Sequence, residues 1–408
     1  MRCRFCDNEL KYEFIDLVNA PPSNAYLTQE QLNKPETYFP LKIFFCEKCW
    51  LVQLDEHKKY DEIFNQDYAY FSSFSKSWLK HSEKYVNMIA EKLCLSSHSL
   101  VIEIASNDGY LLQYFIPKDI PCLGIEPTAG TAKAARERGI ETIQDFFSVK
   151  LAKALVADNR KADLVLGNNV LAHVPDINDF VEGIKIVLKH TGTSTFEFPH
   201  LLNLIRQNQF DTIYHEHFSY LSLTTVRKIF ADHGLDIYDV EEIQTHGGSL
   251  RIYAKHSENN TIPVSENVLS LEKRELENGI CDMRLYQSFQ RKADKVKYDF
   301  LEFLLKQKKT NKKIAAYGAA AKGNTLLNYC GIKNDLIDFV ADASTYKQNK
   351  YLPGSHVPIV TEAKIREAQP DFVIIFPWNI KEEIMEQLDY IREWNGKFVI
   401  AIPELNIL

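Results

Sequence analysis

Nowhere in the 408 residues is there a run of about 18 apolar side chains, the length a membrane-crossing helix needs. A basic excess is missing too. The chain carries 48 Lys and Arg against 55 Asp and Glu, a net charge of −7, which argues against a general electrostatic pull towards nucleic acid or an anionic membrane. The opening "MRCRFCDNEL" lacks the apolar core of a secretory signal, so the cytoplasm is the expected location. Short-period repeats and low-complexity tracts are absent. What is there is ordinary globular material, 45% hydrophobic and 25% charged, enough for two or three domains.

Cysteine is sparse but patterned. Four of the 8 cysteines fall as two CxxC pairs, Cys3/Cys6 and Cys46/Cys49. In a cytosolic protein, paired CxxC motifs point to a metal rather than to disulfides. Four thiolates satisfy a tetrahedral Zn²⁺ and leave no open position for water, so such a metal holds a fold and does no chemistry. The surrounding unit, residues 1–65, reads as loop-rich, weakly periodic and without another core, in need of that staple. Cys94, Cys122, Cys281 and Cys330 stand alone in mostly apolar sequence and read as buried thiols.

A capped, periodic helical stretch, "SSFSKSWLKHSEKYVNMIAEKLCL", precedes a series of apolar strands alternating with helices. Such alternation predicts a doubly wound parallel sheet. The series ends in two alternating runs, "LDIYDVEEI" and "SLRIYAKH", which read as an antiparallel hairpin. A parallel sheet closed by a hairpin is the layout of S-adenosylmethionine (SAM) methyltransferases, and this domain is placed at 66–256. Residues 257–310 are charged and helical, with a break at Gly279, and read as a connector. A second Rossmann-like α/β unit is placed at 311–408, with strands in "KKIAAYG", "LIDFVADAS", "DFVIIFPW" and "KFVIAIP".

Glycine is scarce where a nucleotide-binding turn wants it. In "VIEIASNDGYLL", the acidic-x-Gly-x-Gly-x-Gly pattern of methyltransferases reads Glu103, Ala105, Asn107, Gly109, so only the last glycine remains. The strand is nevertheless expected to end at a ligand crevice, with a following helix whose N-terminus receives the ligand. Glu126 closes the next strand, where an acid can accept both hydroxyls of a ribose. Asp145 and Phe146 follow the third strand, placed to accept from an adenine amino group and to stack on its ring.

"YHEHFSY", Tyr214 to Tyr220, is open to three readings: a metal site, an acid–base site or a solvated loop. In an extended chain His215 and His217 share one side and Glu216 points to the other, which is poor metal geometry. "NNVLAHV" adds Asn169 and His173 at the carboxyl end of the fourth strand, where ligands sit in such sheets. In "HGGSLR", Gly247 and Gly248 either make a plain turn or bring His246 and Arg251 near a substrate. "YGAAAKGN" sets Gly318, Lys322 and Gly323 around a strand-to-helix turn, a site for phosphates. Asp342, after the next strand, is the residue that would favour a nicotinamide dinucleotide there instead.

Together, "EIASNDGYLL", "NNVLAHVPD", "YHEHFSYLS" and "HGGSLRIY", with "YFSSFSKSWLKHS", "CRFC…CEKCW" and "YGAAAKGNT", resemble the SAM-dependent sugar C-methyltransferases of deoxysugar pathways. The resemblance runs over nearly the whole chain. It implies an N-terminal zinc-binding domain, a central SAM-binding domain and a C-terminal domain that helps bind a nucleotide sugar. The implied reaction is methylation at C3 of a nucleotide-linked 4-keto-6-deoxy sugar by a monomer, with no nucleic acid or membrane partner. It points to His217 as the base, and histidine titrates near neutral pH. Tyr214 is then a donor to the C4 oxygen or a substrate-placing group, Glu216 a contact to the sugar or a neighbour, and His173 the second candidate for acid or oxyanion donor. His215 is expected to be structural. Carry-over from the family also touches Tyr68, as an aromatic near cofactor or substrate. Two rivals remain: a nicotinamide-dependent sugar-nucleotide oxidoreductase built on the two α/β units, and a zinc-ribbon nucleic-acid binder.

Overall fold

The computed structural model describes residues 1–57 and 71–408. Tyr68 lies outside the described residues. Three sheets organise the described residues. The first is antiparallel, built from β1 (Tyr12–Ala20), β2 (Phe39–Phe45) and β3 (Val52–Leu54). The second is the α/β core. Its strands are β4 (Val101–Ile104), β5 (Cys122–Ile125), β6 (Glu141–Ile143), β7 (Ala162–Asn168) and β8 (Leu188–Pro199). After β9 (Ser219–Tyr220) come β10 (Leu235–Ile243) and β11 (Ser249–His256). The core order is β10-β11-β8-β7-β4-β5-β6, parallel except that β11 pairs antiparallel with both β10 and β8. This is the parallel sheet closed by a hairpin that the sequence pattern predicts.

The third sheet holds β12 (Ile314–Tyr317), β13 (Phe339–Ala341), β14 (Ile359–Val360), β15 (Phe372–Ile375), β16 (Lys397–Ile400) and β17 (Asn406–Ile407). Its order is β14-β13-β12-β15-β16-β17, parallel up to the last antiparallel pair. It is a second Rossmann-like unit. Among the described residues no helix is long and apolar enough to cross a membrane.

The N-terminal unit has more core than its sequence suggests. Phe14, Ile43 and Phe45 are buried, and Phe14 stacks on Phe289 at 4.6 Å while Phe45 stacks on Tyr286 at 4.6 Å. Both partners lie at the start of a helical segment ending in the helix Phe289–Lys309. The missing core was therefore long-range: Tyr286 follows Phe45 by 241 residues and Phe289 follows Phe14 by 275, and local periodicity carries no trace of them. Each buried aromatic contributes roughly 1.5–3 kcal/mol, so zinc is not the only staple. The first sheet is also not self-contained, because β9 pairs with β3, with Val52 opposite Tyr220 and Gln53 opposite Ser219.

Two further expectations are corrected. No α-helix follows Gly109; two short 3-10 turns, Leu112–Tyr114 and Ile116–Lys118, stand there instead. Pro117 lacks an N–H and disfavours helix at the residue before it, which stops any helix from propagating. Of the four lone cysteines only Cys330 is buried; Cys122 and Cys281 are half-buried and Cys94 is exposed. Cys94 sits in the turn after the helix Lys76–Lys92 with φ +50°, outside the helix's buried stripe.

Candidate active site

The turn after β4 explains how a methyltransferase site forms with few glycines. Ala105, Asn107 and Gly109 have φ of +56°, +50° and +75°, so all three positions of the expected glycine pattern keep the left-handed conformation. Asn tolerates it, Ala bears a strain of roughly 1–2 kcal/mol, and glycine is kept only at the last. There a Cβ would come within 2.3 Å of Ile140 Cδ1. The turn is held by Glu126, whose Oε2 accepts from the Asn107 N–H at 2.9 Å and whose Oε1 accepts from the Thr128 N–H at 2.9 Å. Asn107 Oδ1 accepts from the Ser72 N–H at 2.9 Å, which docks the segment before the helix Lys76–Lys92 onto the turn.

Ala105, Asn107, Glu126, Asp145, Phe146 and Asn169 all line one cavity of about 1780 Å³. A site for a single small ligand needs about 300–1,000 Å³, so there is room for a cofactor and a substrate side by side. Glu103 and Gly109 do not line it. Glu103 is fully buried beneath the turn, where burial pushes its carboxyl well above the usual range. The cavity thus presents an acid at the end of the second strand, an aromatic after the third, and a backbone turn close enough for contact. These are the groups an adenosine-bearing cofactor such as SAM requires, and Glu126, Asp145 and Phe146 would hold it.

"YHEHFSY" is not extended. The His217 N–H donates to the Tyr214 carbonyl at 2.9 Å, which closes a turn through His215 and Glu216. The two histidines therefore do not share a side. His215 is buried, with Nε2 at 3.1 Å from the Pro40 carbonyl of β2 and its ring edge-on to Phe39. Glu216 Oε1 accepts from Asn24 Nδ2 at 2.7 Å. His217 turns the other way, 4.0 Å from the Tyr214 ring and 4.7 Å from the His173 ring, centroid to centroid. No His215–Glu216–His217 metal cluster forms; among the described residues the four CxxC cysteines are the candidate metal group.

The chemistry of this cluster follows from one hydrogen bond. His217 Nδ1 lies 2.9 Å from the Thr212 carbonyl, which can only accept, so Nδ1 carries the proton and Nε2 keeps a lone pair. Burial, and then the neighbouring His173, hold the imidazolium pKa well below its ordinary value. His173 is pushed down to about 4 by burial, against a hydrogen bond with the Glu216 backbone that raises it. Both rings are neutral at pH 7, so the cluster offers a base and, beside it, an imidazole and a phenol able to donate.

The third wall of the cavity comes from the C-terminal sheet. Gly318 has φ +88° at the exit of β12, and a Cβ there would strike Pro377 at 2.4 Å. Gly323 lies one turn into the helix Ala321–Cys330, packed so closely on Phe376 that a Cβ would sit 2.7 Å from its ring. Both glycines shape the turn without lining the cavity, whereas Lys322 lines it. Its Nζ donates to Asn379 Oδ1 at 2.7 Å and stands 4.4 Å over the Trp378 ring. Burial lowers its pKa, opposed by Asp211. His246 also lines the cavity, 3.1 Å from Asn169 Nδ2, on a turn where Gly247 and Gly248 both have positive φ. Arg251 is not brought to the cavity. It is buried in an ion-pair network, donating to Glu197 and Glu241 at 2.8 Å each, with its guanidinium over Tyr85.

The four cysteine sulfurs lie within 4.8 Å of one another, with Cys3–Cys49 at 3.5 Å and Cys6–Cys46 at 3.6 Å. Zinc–sulfur bonds of about 2.3 Å in a tetrahedron set an edge of about 3.8 Å, so the sulfurs fit the ion. Sequence reading missed Trp78 and Tyr26. Trp78 lines the cavity, stacked on His81 at 4.9 Å, and its only local signal was the Ser75 cap one turn earlier. Tyr26 comes from an aperiodic loop and donates to the Ala319 carbonyl at 2.7 Å across the cavity, a contact no local pattern announces.

Comparison with known proteins gives matches along nearly the whole chain. Residues 3–64 match a zinc binding domain family, residues 80–240 a methyltransferase domain family, and residues 244–403 the C-methyltransferase C-terminal domain family. The C-methyltransferase NovU of Streptomyces niveus is 32% identical over 408 residues, covering 100% of this chain and 96% of that one. Among solved structures, magnesium protoporphyrin IX methyltransferase from Synechocystis, with bound SAH, aligns at 16% identity and a TM-score of 0.35. That alignment covers 44% of this chain and 83% of the other. A SAM-dependent methyltransferase from Clostridium acetobutylicum aligns at 14% identity and a TM-score of 0.36, over 48% of this chain and 96% of the other.

Proposed function

This chain belongs to the C-methyltransferase family, and from that membership we propose that it methylates C3 of a nucleotide-linked 4-keto-6-deoxy sugar. A sugar C–H bond is not acidic enough to react unaided. A ketone at C4 makes the C3 proton removable, because the electron pair left behind becomes an enolate with its charge on the C4 oxygen. The enzyme then needs a base at C3 and a donor at O4. General-base assistance supplies about 10²–10⁴-fold, and stabilisation of the oxyanion often more.

The observation that carries this reading is the His217 tautomer. The Thr212 carbonyl fixes its proton on Nδ1, and that leaves Nε2 to take the C3 proton. His173 and Tyr214, packed against it, are the candidates to donate to O4. Glu216, held by Asn24, is the candidate to accept from a sugar hydroxyl. Lys322 and the N-terminus of the helix Ala321–Cys330 are assigned to the pyrophosphate. SAM, when bound, supplies an electrophilic methyl group and departs as S-adenosylhomocysteine.

The test is incubation with SAM and a panel of thymidine- and guanosine-linked 4-keto-6-deoxy sugars. The expected products are S-adenosylhomocysteine and a sugar heavier by one methyl; failure to form either across the panel would sink the proposal. For the base, His217→Asn should retain SAM binding and lose both turnover and exchange of the C3 proton for deuterium. Unchanged exchange in that variant removes His217 from the role.

A further inference from the structure

The two histidines sit on separate segments, His173 at the end of the 3-10 turn Leu171–His173 and His217 in the turn closed on the Tyr214 carbonyl. His173 follows β7 and is succeeded by Val174 and Pro175; His217 is succeeded by Phe218 and then β9. Beside the hydrogen bond of His173 with the Glu216 backbone, a residue inside the first CxxC ties one segment to the other. Arg4 donates from Nη1 to the Pro175 carbonyl at 2.9 Å and from Nη2 to the Leu54 carbonyl at 2.8 Å. Its guanidinium lies 5.4 Å from the centre of the Phe218 ring. The Leu54 N–H in turn donates to the Phe218 carbonyl at 3.0 Å. One planar cation therefore bridges the carbonyl two residues after His173 and the strand end that grips the residue after His217.

Arg4 is itself held at both sides. Its N–H donates to Gln53 Oε1 at 2.9 Å, and Gln53 Nε2 reaches Cys3 Sγ at 3.2 Å. Asn178 Nδ2, on the helix after the His173 loop, donates to the Phe5 carbonyl at 2.9 Å. We infer that Arg4 is a positioning residue for the methyl transfer, through which the cysteine knuckle sets the separation of His173 and His217. This rests on the reading of those histidines given above. A lysine cannot reproduce it, since two diverging carbonyls and a ring face suit a planar fork and not a point charge.

The experiment uses the full zinc-loaded protein with Arg4→Met and Arg4→Lys. Zinc content is read by elemental analysis, SAM affinity by calorimetry, and the histidine rings by ¹⁵N-histidine spectra across pH. Deuterium exchange at C3 is followed with a nucleotide-linked 4-keto-6-deoxy sugar that the parent enzyme turns over. Arg4→Met is expected to keep one zinc and the parent's SAM affinity, to lower kcat and the exchange rate at least tenfold, and to shift the His173 and His217 resonances. Arg4→Lys should recover only part of the rate. Parent-like exchange and unshifted rings in Arg4→Met overturn the inference, and so does a loss of rate that tracks loss of zinc. If the parent protein itself catalyses no exchange on any substrate of the panel, the reading of the histidines fails, while the ring shifts still test the clamp.

Discussion

Two βα units face the same cavity and brace their first turn in the same way, then lead into different elements. In each, an acid after the second strand accepts the N–H of the turn after the first. Glu126 takes the Asn107 N–H at 2.9 Å, and Asp342 takes the Ala319 N–H at 2.7 Å. The units then diverge. The central turn uses three left-handed residues and leads into 3-10 turns, so no helix N-terminus follows it. The C-terminal turn leads into the ten-residue helix Ala321–Cys330, whose N-cap Ala320 has no side chain to cover its N–H groups, and places Lys322 in the first turn. Its acid is meanwhile occupied, with Ser344 N–H at 2.8 Å and Lys347 Nζ at 3.5 Å. A helix N-terminus and a lysine favour an anion at the C-terminal turn, and the central turn has no such helix. Asp342 borders the cavity as Glu126 does, and both acids are tied to backbone N–H groups, so the acids alone do not divide the units and removing each in turn tests the division.

The strongest way to break that division is to remove the acids in turn. Glu126→Gln is expected to weaken SAM binding on the order of 100-fold, since charged hydrogen bonds of about 1.5–3 kcal/mol are lost at a buried site. Asp342→Asn should leave SAM affinity within about twofold. Calorimetry with SAM, and thermal shift with NAD as a separate ligand, checks both. Equal losses in the two variants would mean the acids do one job and the units are not divided.

Lys322→Met comes next. It should weaken thymidine or guanosine diphosphate binding by about tenfold while SAM affinity stays at the parent value. A matching loss of SAM affinity would place Lys322 on the cofactor instead.

How far these two sites could be read from sequence differs for the same reason. The alternation of strands and helices and the final hairpin, from Leu235 to His256, gave the core sheet, and the cysteine spacing gave the metal group. Glu126 and Lys322 were legible because a strand end and a strand-to-helix turn fix where such residues point. Arg251 was not: its position on β11 showed a charge, and only the fold showed that Glu197 and Glu241 consume it. Tyr26 and Arg4 act across contacts made between distant segments, with Ala319 and Pro175, and no local pattern encodes those. The turn at Tyr214–His217 was not legible either, since His215 packs on the Pro40 carbonyl, a contact between distant segments.

Between the units, the histidines give a pH dependence with a definite sign. His173 is pushed down to about 4, chiefly by burial, whereas the unfolded chain titrates near about 6.5. In that window the unfolded state binds more protons, so stability is full above about pH 6.5 and falls as pH drops towards 4. Melting temperatures across pH 4–7 should show this slope, and His173→Gln should flatten part of it. An unchanged slope would mean that His173 is not buried neutral.

The smallest effect is also the most direct comparison of the two turns, because each carries an alanine where its backbone reverses. Ala105 has φ +56°, while Ala320 has φ −91° and ψ 155°, an ordinary extended conformation. Glycine at 105 relieves a strain of roughly 1–2 kcal/mol and gives back part of it as unfolded-state entropy, for a net gain of roughly 0.5–1 kcal/mol. Glycine at 320 relieves nothing and costs roughly 0.5–1 kcal/mol. Ala105→Gly should therefore raise the urea midpoint and Ala320→Gly lower it. Two losses would show that the first turn is not strained at Ala105, and that its shortage of glycine costs the fold nothing.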